Sequence, residues 1–290
     1  MISWVSIDKD KCDGCGICAL RCMLCFRKQG DEMTVQADAS CCNLCGHCVA
    51  LCPADAIACD KIDMDNFIAI EGGPAYDTDE FISFIRQRRS HRLFKKKQIP
   101  KEDLKKLVDV CRYAPTGSNV QNVEIIVVQD PDKRQRLSDL TVDFFDEIGS
   151  KAQKKIERIN AEGKPLTGEM DSLQNTLHYR DRLVLAKKVG FDAIFYKAPA
   201  VIIFHSPAQT SAPKDNCVIA STTLGLVART MGLETTYIGL FNAAAADYGP
   251  LQKELDLPSG HQVFSTLIAG YPKLKFLKTV DRKPIKTRWE

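Results

Sequence analysis

The feature that most constrains this 290-residue chain is a cysteine spacing that occurs twice near its beginning. The C-x2-C-x2-C-x3-C runs are Cys12, Cys15, Cys18 and Cys22, then Cys42, Cys45, Cys48 and Cys52, with Pro53 after the last. Three thiolates two residues apart can wrap three corners of a metal cluster, but the fourth corner needs a ligand from elsewhere. Each run can supply the fourth ligand of the other.

This spacing resembles that of two-cluster bacterial ferredoxins, over about residues 1 to 62. We predict one 4Fe-4S cluster on Cys12, Cys15, Cys18 and Cys52, and a second on Cys22, Cys42, Cys45 and Cys48. The spare thiols Cys25 and Cys41 leave two alternatives open, because Cys41 could replace Cys42 and Cys25 could replace Cys22. Zinc also takes four thiolates, but its sites usually pair C-x2-C with a distant second C-x2-C, so the spacing favours iron and sulfur.

The cysteines are segregated, since eleven of the thirteen precede residue 60. This asymmetry predicts a small metal-held module in front of an ordinary globular domain.

The chain start lacks a basic region followed by an apolar run, so we expect the reducing cytoplasm rather than a disulfide framework. No apolar run reaches the length of a membrane span, and 40 basic against 37 acidic residues give no nucleic-acid footprint. We therefore expect neither membrane nor nucleic acid as a partner.

The hydrophobic pattern predicts an α+β chain with a domain at 1–62, a connector at 63–78 and a second domain at 79–290. Helical periodicity begins near residue 79, with Asp77 or Thr78 available as the cap. A β-branched strand at 200–205, a small-residue helix at 214–231 and a last strand at 264–268 follow. The segment at 131–148 is amphipathic and predicts another helix.

A basic segment, Arg86 to Arg92, closes the first of these predicted helices. By itself, such a basic cluster usually lies on a solvent-exposed helix surface. Arginine side chains can also bind a phosphate, because the paired N–H groups of a guanidinium match a phosphate dianion in geometry and charge. With Phe94 after it, the segment resembles the R-R-S-x-R-x-F opening of the nitroreductase family, which binds FMN. That resemblance implies phosphate and ribityl contacts from Arg88, Ser90 and Arg92, and places Arg89 near the flavin ring.

A second match falls on residues 114–121, whose Pro, Gly, Ser and Asn content alone predicts only a loop before a strand at 123–128. The segment resembles the A-P-S-x-x-N-x-Q loop of the same family, which reaches the flavin of the partner subunit. Its implied flavin contacts are Pro115, Thr116, Gly117 and Asn119, with Thr116 standing where serine is commoner.

The resemblance extends over about residues 79 to 290 and implies a three-layer α/β sandwich that forms a domain-swapped homodimer. It places Tyr237, Ile238 and Gly239 against the isoalloxazine. It also implies that the C-terminal segment wraps around the partner subunit and that Arg282 contacts the FMN phosphate. We interpret residues from about 166 to 197 as a substrate lid, with His178 and Tyr179 as candidate contacts. No catalytic acid is identifiable.

The two resemblances together imply an oxygen-sensitive oxidoreductase that carries FMN and two 4Fe-4S clusters. Each cluster exchanges one electron, whereas reduced flavin delivers two, so we predict reduction of an electron-poor acceptor such as a nitroaromatic or quinone. The donor is either a ferredoxin or flavodoxin docking at the cysteine module, or NAD(P)H acting directly on the flavin. Two alternatives stay open: an electron-transfer flavoprotein that serves a protein partner, and an ordinary NAD(P)H nitroreductase with a zinc-held docking module.

Overall fold

The computed structural model describes residues 4–35, 41–73, 76–162 and 168–290. Two compact units are present: Met1–Tyr76 with Ser118–Val120, and Asp77–Gly117 with Gln121–Glu290. Across the described ranges, no helix has the length and apolar character needed to cross a membrane.

The first unit is built from two antiparallel strand pairs and two short helices. Its elements are β1 (Val5–Ile7), α1 (Ile17–Arg21), β2 (Phe26–Gln29), β3 (Glu32–Val35), α2 (His47–Ala50) and β4 (Ile57–Cys59), followed by a 3-10 turn at Met64–Asn66. Strand β1 pairs with β4, and β2 pairs with β3. Its small core contains Val5, Phe26, Met33, Val49 and Ile57 together with buried cysteines. A core of this size gives little stability by itself, which is typical of modules that depend on a metal.

The two short helices of the first unit start in the same way. Gly16 before α1 has φ 81° and Gly46 before α2 has φ 71°, the left-handed region that favours glycine. Each glycine directly follows the second cysteine of its run, so the chain turns sharply between the second and third cysteines. The cysteine spacing and the backbone geometry therefore repeat together.

The second unit is organised around a four-stranded antiparallel sheet with the order β5-β6-β8-β7. Its strands are β5 (Glu124–Val128), β6 (Ala200–Pro207), β7 (Glu234–Tyr237) and β8 (His261–Gly270). The predicted strand at 200–205 is present and continues for two more residues. The last strand also begins earlier than the sequence predicts.

Helices cover both faces of this sheet. They are α3 (Thr78–Gln87), α4 (Lys101–Asp109), α5 (Pro131–Ala161), α6 (Gly168–Lys188), α7 (Pro213–Thr230), α8 (Gly239–Asp247) and α9 (Gly249–Leu255). Along β6, Val201 and Ile203 join the core beneath α5, α8 and α9, whereas Ile202 and Phe204 join the core beneath α4 and α7. This alternation follows from the two-residue period of a strand. The three-layer α+β arrangement of this unit confirms the prediction.

The helix boundaries show where local signals were sufficient. Asp77 caps α3, because its carboxylate accepts from the amides of Asp79 (2.9 Å) and Glu80 (3.0 Å). Helix α5 runs well beyond the predicted end at residue 148 and packs along α6. The predicted lid begins at residues 166–167, outside the described residues, and the part that is described consists largely of α6.

We expect Gly270→Ala to lower the free energy of unfolding by about 2 kcal/mol, which lowers Tm by roughly 4–8 °C. A Cβ at Gly270 would lie 2.6 Å from Cδ of Pro199 and 2.8 Å from Cδ1 of Phe94. Gly249→Ala is the matched control, since a Cβ there meets no atom within 4 Å. Thermal unfolding followed by circular dichroism measures the difference, and equal Tm values would contradict the close packing of this strand end.

Candidate functional site

The first unit brings the two cysteine runs together in crossed sets. Cys12, Cys15 and Cys18 of the first run line one cavity with Cys52 of the second, between apolar side chains that include Ile57. The amide of Ala56 donates to Sγ of Cys52 over 3.3 Å. Backbone donors aimed at sulfur are one means by which proteins set the potential of iron–sulfur clusters.

A second cavity is lined by the other predicted set, Cys22, Cys42, Cys45 and Cys48. Cys25, Cys41 and Cys59 line it as well, so both alternative ligands lie beside this cavity. Sγ of Cys25 is 3.9 Å from Sγ of Cys41. The predicted set of Cys22, Cys42, Cys45 and Cys48 is compatible with this second cavity. Cys25 could still replace Cys22, and Cys41 could still replace Cys42.

Burial disfavours the thiolate form of two of these cysteines when no metal is bound. It raises the pKa of the Cys48 thiol to about 11, and it also raises the pKa of Cys18. Metal ligation requires the thiolate, so binding would release these protons and its free energy would also stabilise the fold.

In the second unit, the basic segment leaves α3 at Arg88 and runs beside the edge strand β7. The hydroxyl of Thr236 donates to the carbonyl of His91, and the amide of His91 approaches the carbonyl of Thr235 at 3.5 Å. Further along, the amide of Lys95 donates to the carbonyl of Tyr271 (2.8 Å). The predicted phosphate-binding residues are therefore held on a fixed edge of the sheet.

A charged cluster surrounds this edge. Nη1 of Arg229 lies 2.9 Å from Oε1 of Glu234, and Nε2 of His91 lies 3.8 Å from its Oε2. Burial raises the pKa of Glu234 against the opposing effect of Arg229 and Arg88. Burial also lowers the pKa of His91, and the charges of Arg229 and Arg89 act in the same direction.

Two buried donors of this cluster lack an acceptor. Nε of Arg229 and Nε of Arg89 make no hydrogen bond to any described residue, and Oε2 of Glu234 accepts none. A buried donor without an acceptor is costly, and an anionic ligand would satisfy it. Ser90 is half-buried beside it, and Arg92 is exposed with its guanidinium 5.7 Å from the ring centroid of Tyr196. The donor set fits a phosphorylated cofactor.

The predicted ring contacts follow directly on strand β7. The Tyr237 hydroxyl is 2.8 Å from Oγ1 of Thr222, and the amide of buried Ile238 donates to the carbonyl of Thr266 (3.0 Å). Gly239 is the first residue of α8. The first amides of a helix lack intrahelical partners, so this turn offers backbone donors to a ligand.

The loop at 114–121 is held at the beginning of α7. The amide of Gly117 donates to Oδ1 of Asn216 (2.9 Å), and Nδ2 of Asn216 donates to the carbonyl of Ser211 (2.8 Å). Thr116 accepts from the amide of Gln121 through its hydroxyl (3.1 Å), which closes the loop beyond Pro115. Asn119 belongs to the first unit, where its side-chain amide donates to the carbonyl of Asn43 (2.8 Å).

Among the described residues of the second unit, the Gly117 end of the predicted loop and the basic segment are not adjacent. The loop is attached at Asn216 near the start of α7, whereas Arg229, which neighbours the basic segment through Glu234, lies near its end. These two positions are thirteen residues apart along the helix, which corresponds to roughly 20 Å. The basic segment and the β7–α8 turn do lie together at one sheet edge.

The remaining predicted residues lie outside this arrangement. Arg282 is exposed in the segment 273–290, which contains no helix or strand. Phe276 of this segment does reach the basic segment, with its ring centroid 4.9 Å from that of His91. Tyr179 packs against Phe145 of α5, with ring centroids 6.4 Å apart, and His178 is exposed.

Three residues of this region were missed by the sequence analysis. Asn216 holds the loop, and Arg229 and Glu234 form the ion pair beside the basic segment. The sequence did contain two signals for them. Asn216 is a polar residue among the small residues of a predicted helix, and Arg229 and Glu234 carry opposite charges on either side of a helix-to-strand turn.

A family model described as the nitroreductase family matches residues 85–271. The chain is 23% identical over 199 residues to an Archaeoglobus fulgidus protein named "Putative NADH dehydrogenase/NAD(P)H nitroreductase", covering 67% of this chain and 87% of the relative.

Two solved structures share the fold. A nitroreductase with bound FMN from Bacteroides fragilis has a TM-score of 0.51 at 21% identity, covering 73% of this chain and 100% of the other. A nitroreductase with bound FMN from Desulfitobacterium hafniense has a TM-score of 0.52 at 20% identity, covering 73% and 98%.

Proposed function

Since the chain belongs to the nitroreductase family and is an oxidoreductase, we propose that it relays electrons between two 4Fe-4S clusters and FMN to reduce an electron-poor small molecule. A nitroaromatic, a quinone or a similarly activated compound fits this chemistry. The observation that carries the proposal is the crossed arrangement of cysteines, with Cys52 beside the first run and Cys22 beside the second.

FMN is supported by the donors that the chain offers at one sheet edge. Arg88, Arg89, Ser90 and Arg92 would hold the phosphate and ribityl chain, and the buried Nε of Arg89 would gain an acceptor. Tyr237, Ile238 and Gly239 would lie against the ring, where positive charge and backbone amides favour added electron density. When bound, FMN accepts electrons singly and delivers them as a pair.

The shared flavin site is supported by the roughly 20 Å between the two motifs along α7. In a homodimer, the loop of one chain would complete the site formed by Arg88 and its neighbours in the other. Apolar side chains that such a dimer would cover are exposed in the C-terminal segment: Leu274, Phe276, Leu277, Val280, Ile285 and Trp289.

We expect complementation between Arg88→Ala, which removes a phosphate contact, and Gly117→Val, which displaces the loop. A Cβ at Gly117 would lie 2.7 Å from Oγ of Ser211. Each homodimer should bind FMN poorly, whereas the co-expressed mixed dimer should regain about half of the sites, since one of its two sites is unaltered. FMN fluorescence of doubly tagged, purified dimers measures this, and a mixed dimer no better than either homodimer would contradict a shared site.

The donor is proposed as a ferredoxin, a flavodoxin or NAD(P)H. The name of the Archaeoglobus fulgidus relative favours NAD(P)H, whereas the cysteine module favours a one-electron donor that docks on it. Steady-state reduction of a quinone or nitroaromatic by anaerobically purified protein, with each donor in turn, distinguishes them. Rapid reduction of a protein partner without turnover of any small acceptor would instead support the electron-transfer alternative.

Metal analysis tests the proposal against the zinc alternative. Anaerobically purified protein should contain about eight irons and eight inorganic sulfides per chain, together with one FMN. Two zinc ions per chain and no inorganic sulfide would contradict the relay and leave an ordinary nitroreductase with a zinc-held module.

A further inference from the structure

Two histidines and a carboxylate meet at one end of the sheet in the second unit. Glu124, the first residue of β5, is paired with His205 of β6, and His261, the first residue of β8, is paired with Pro207. His205 and Pro207 are two residues apart, so their side chains point to the same sheet face. Strand pairing therefore places all three groups on one face.

The distances among these groups are short. Nδ1 of His205 is 3.0 Å from Nδ1 of His261, and Nε2 of His261 is 3.9 Å from Oε1 of Glu124. One ligand atom from each residue lies within 4.8 Å of the other two. Zinc ligands at 2.0–2.1 Å in tetrahedral geometry are about 3.3 Å apart, so a small movement of the exposed Glu124 side chain would close the site.

The three groups differ in their freedom to move. His205 is 3% exposed, whereas the Glu124 side chain is 54% exposed and can reorient. The two imidazoles are therefore fixed by the sheet, and the carboxylate can adjust to an ion bound between them.

We propose that Glu124, His205 and His261 bind one divalent transition-metal ion of the zinc class. Two imidazoles and one carboxylate form a known zinc ligand set that leaves a position for water. None of the three belongs to the cysteine sets or to the predicted flavin contacts. Because Glu124 begins the strand that follows the loop at 114–121, the ion would fasten the base of that loop to the central strands.

Zinc itself is the probe, added to anaerobically purified, chelator-washed holoprotein. We expect one additional zinc per chain, with a K-edge X-ray absorption spectrum that shows nitrogen and oxygen ligands at about 2.0–2.1 Å and no sulfur at about 2.3 Å. Glu124→Gln and His261→Gln should each weaken this binding by at least roughly tenfold. His178→Gln is the matched control, since exposed His178 is remote in sequence and outside the cluster.

Thermal unfolding distinguishes a loss of zinc binding from misfolding. Without zinc, the Glu124→Gln protein should have the wild-type Tm, but added zinc should no longer raise it. A sulfur-ligated zinc would show that the cysteines alone bind it and would overturn the proposal. Failure to bind zinc at micromolar concentration, or undiminished binding by both Glu124→Gln and His261→Gln, would overturn it as well.

Discussion

Cys15→Ser is expected to lower the iron content from about eight to about four atoms per chain, because it removes a ligand from only one of the two predicted clusters. Cys15 is exposed and lines the cavity that contains Cys12, Cys18 and Cys52. Acceptor reduction driven by a one-electron donor should fall by at least roughly 100-fold, since even changes outside the ligand shell cost up to that factor. FMN content should not change.

Cys111→Ala is the control for this prediction, because Cys111 packs in the second unit against the carbonyl of Leu107. Iron, inorganic sulfide and FMN are measured on the same anaerobic preparation, and the low-temperature EPR spectrum of the reduced protein counts the remaining clusters. An unchanged iron content in Cys15→Ser would contradict the assigned ligand set.

Arg88→Ala is expected to weaken FMN binding by about 10–100-fold. A charge-assisted hydrogen bond to a phosphate contributes about 1.5–3 kcal/mol, and its loss also leaves the phosphate less neutralised. Arg88 follows α3 in an extended conformation and lies near enough to Glu234 for its charge to oppose the rise that burial causes in the pKa of that carboxyl group. The measurement is fluorescence titration of apoprotein with FMN.

Arg86→Ala provides the matched control, since it removes the same charge from the exposed last turn of α3. A general electrostatic effect would weaken FMN binding similarly in both variants and would decline with salt. Equal affinities of Arg88→Ala and wild type would remove Arg88 from the flavin site and leave the phosphate to other residues.

The sequence predicted best where one local pattern determines the outcome. The cysteine spacing predicted two crossed sets of four thiols, and each set lines one cavity, although Cys25, Cys41 and Cys59 line the second cavity as well. The assignment of the ligands stays a prediction. The continuous β-branched run at 200–205 likewise predicted a buried strand. Helix α5 was predicted too short, since its charged second half gains its ordering from packing against α6 rather than from a local signal.

The sequence could not predict contacts that depend on strand register or on long-range docking. His205 and His261 meet because β6 pairs with β8 across 56 residues, with an irregular register between Phe204 and His205. Asn216 holds Gly117 across 99 residues, which no local motif encodes. The resemblance implied that the loop serves the partner subunit, but motif order did not show that the two predicted flavin motifs lie near opposite ends of α7.

The proposed relay passes electrons between the cysteine-bound clusters and FMN within one protein. Anaerobic stopped-flow mixing with reduced methyl viologen tests this relay, with cluster and flavin absorbance followed together. We predict that cluster bleaching precedes flavin bleaching in the wild type, and that flavin bleaching slows by at least roughly 100-fold in Cys15→Ser. Flavin bleaching at the same rate in both proteins would contradict the relay.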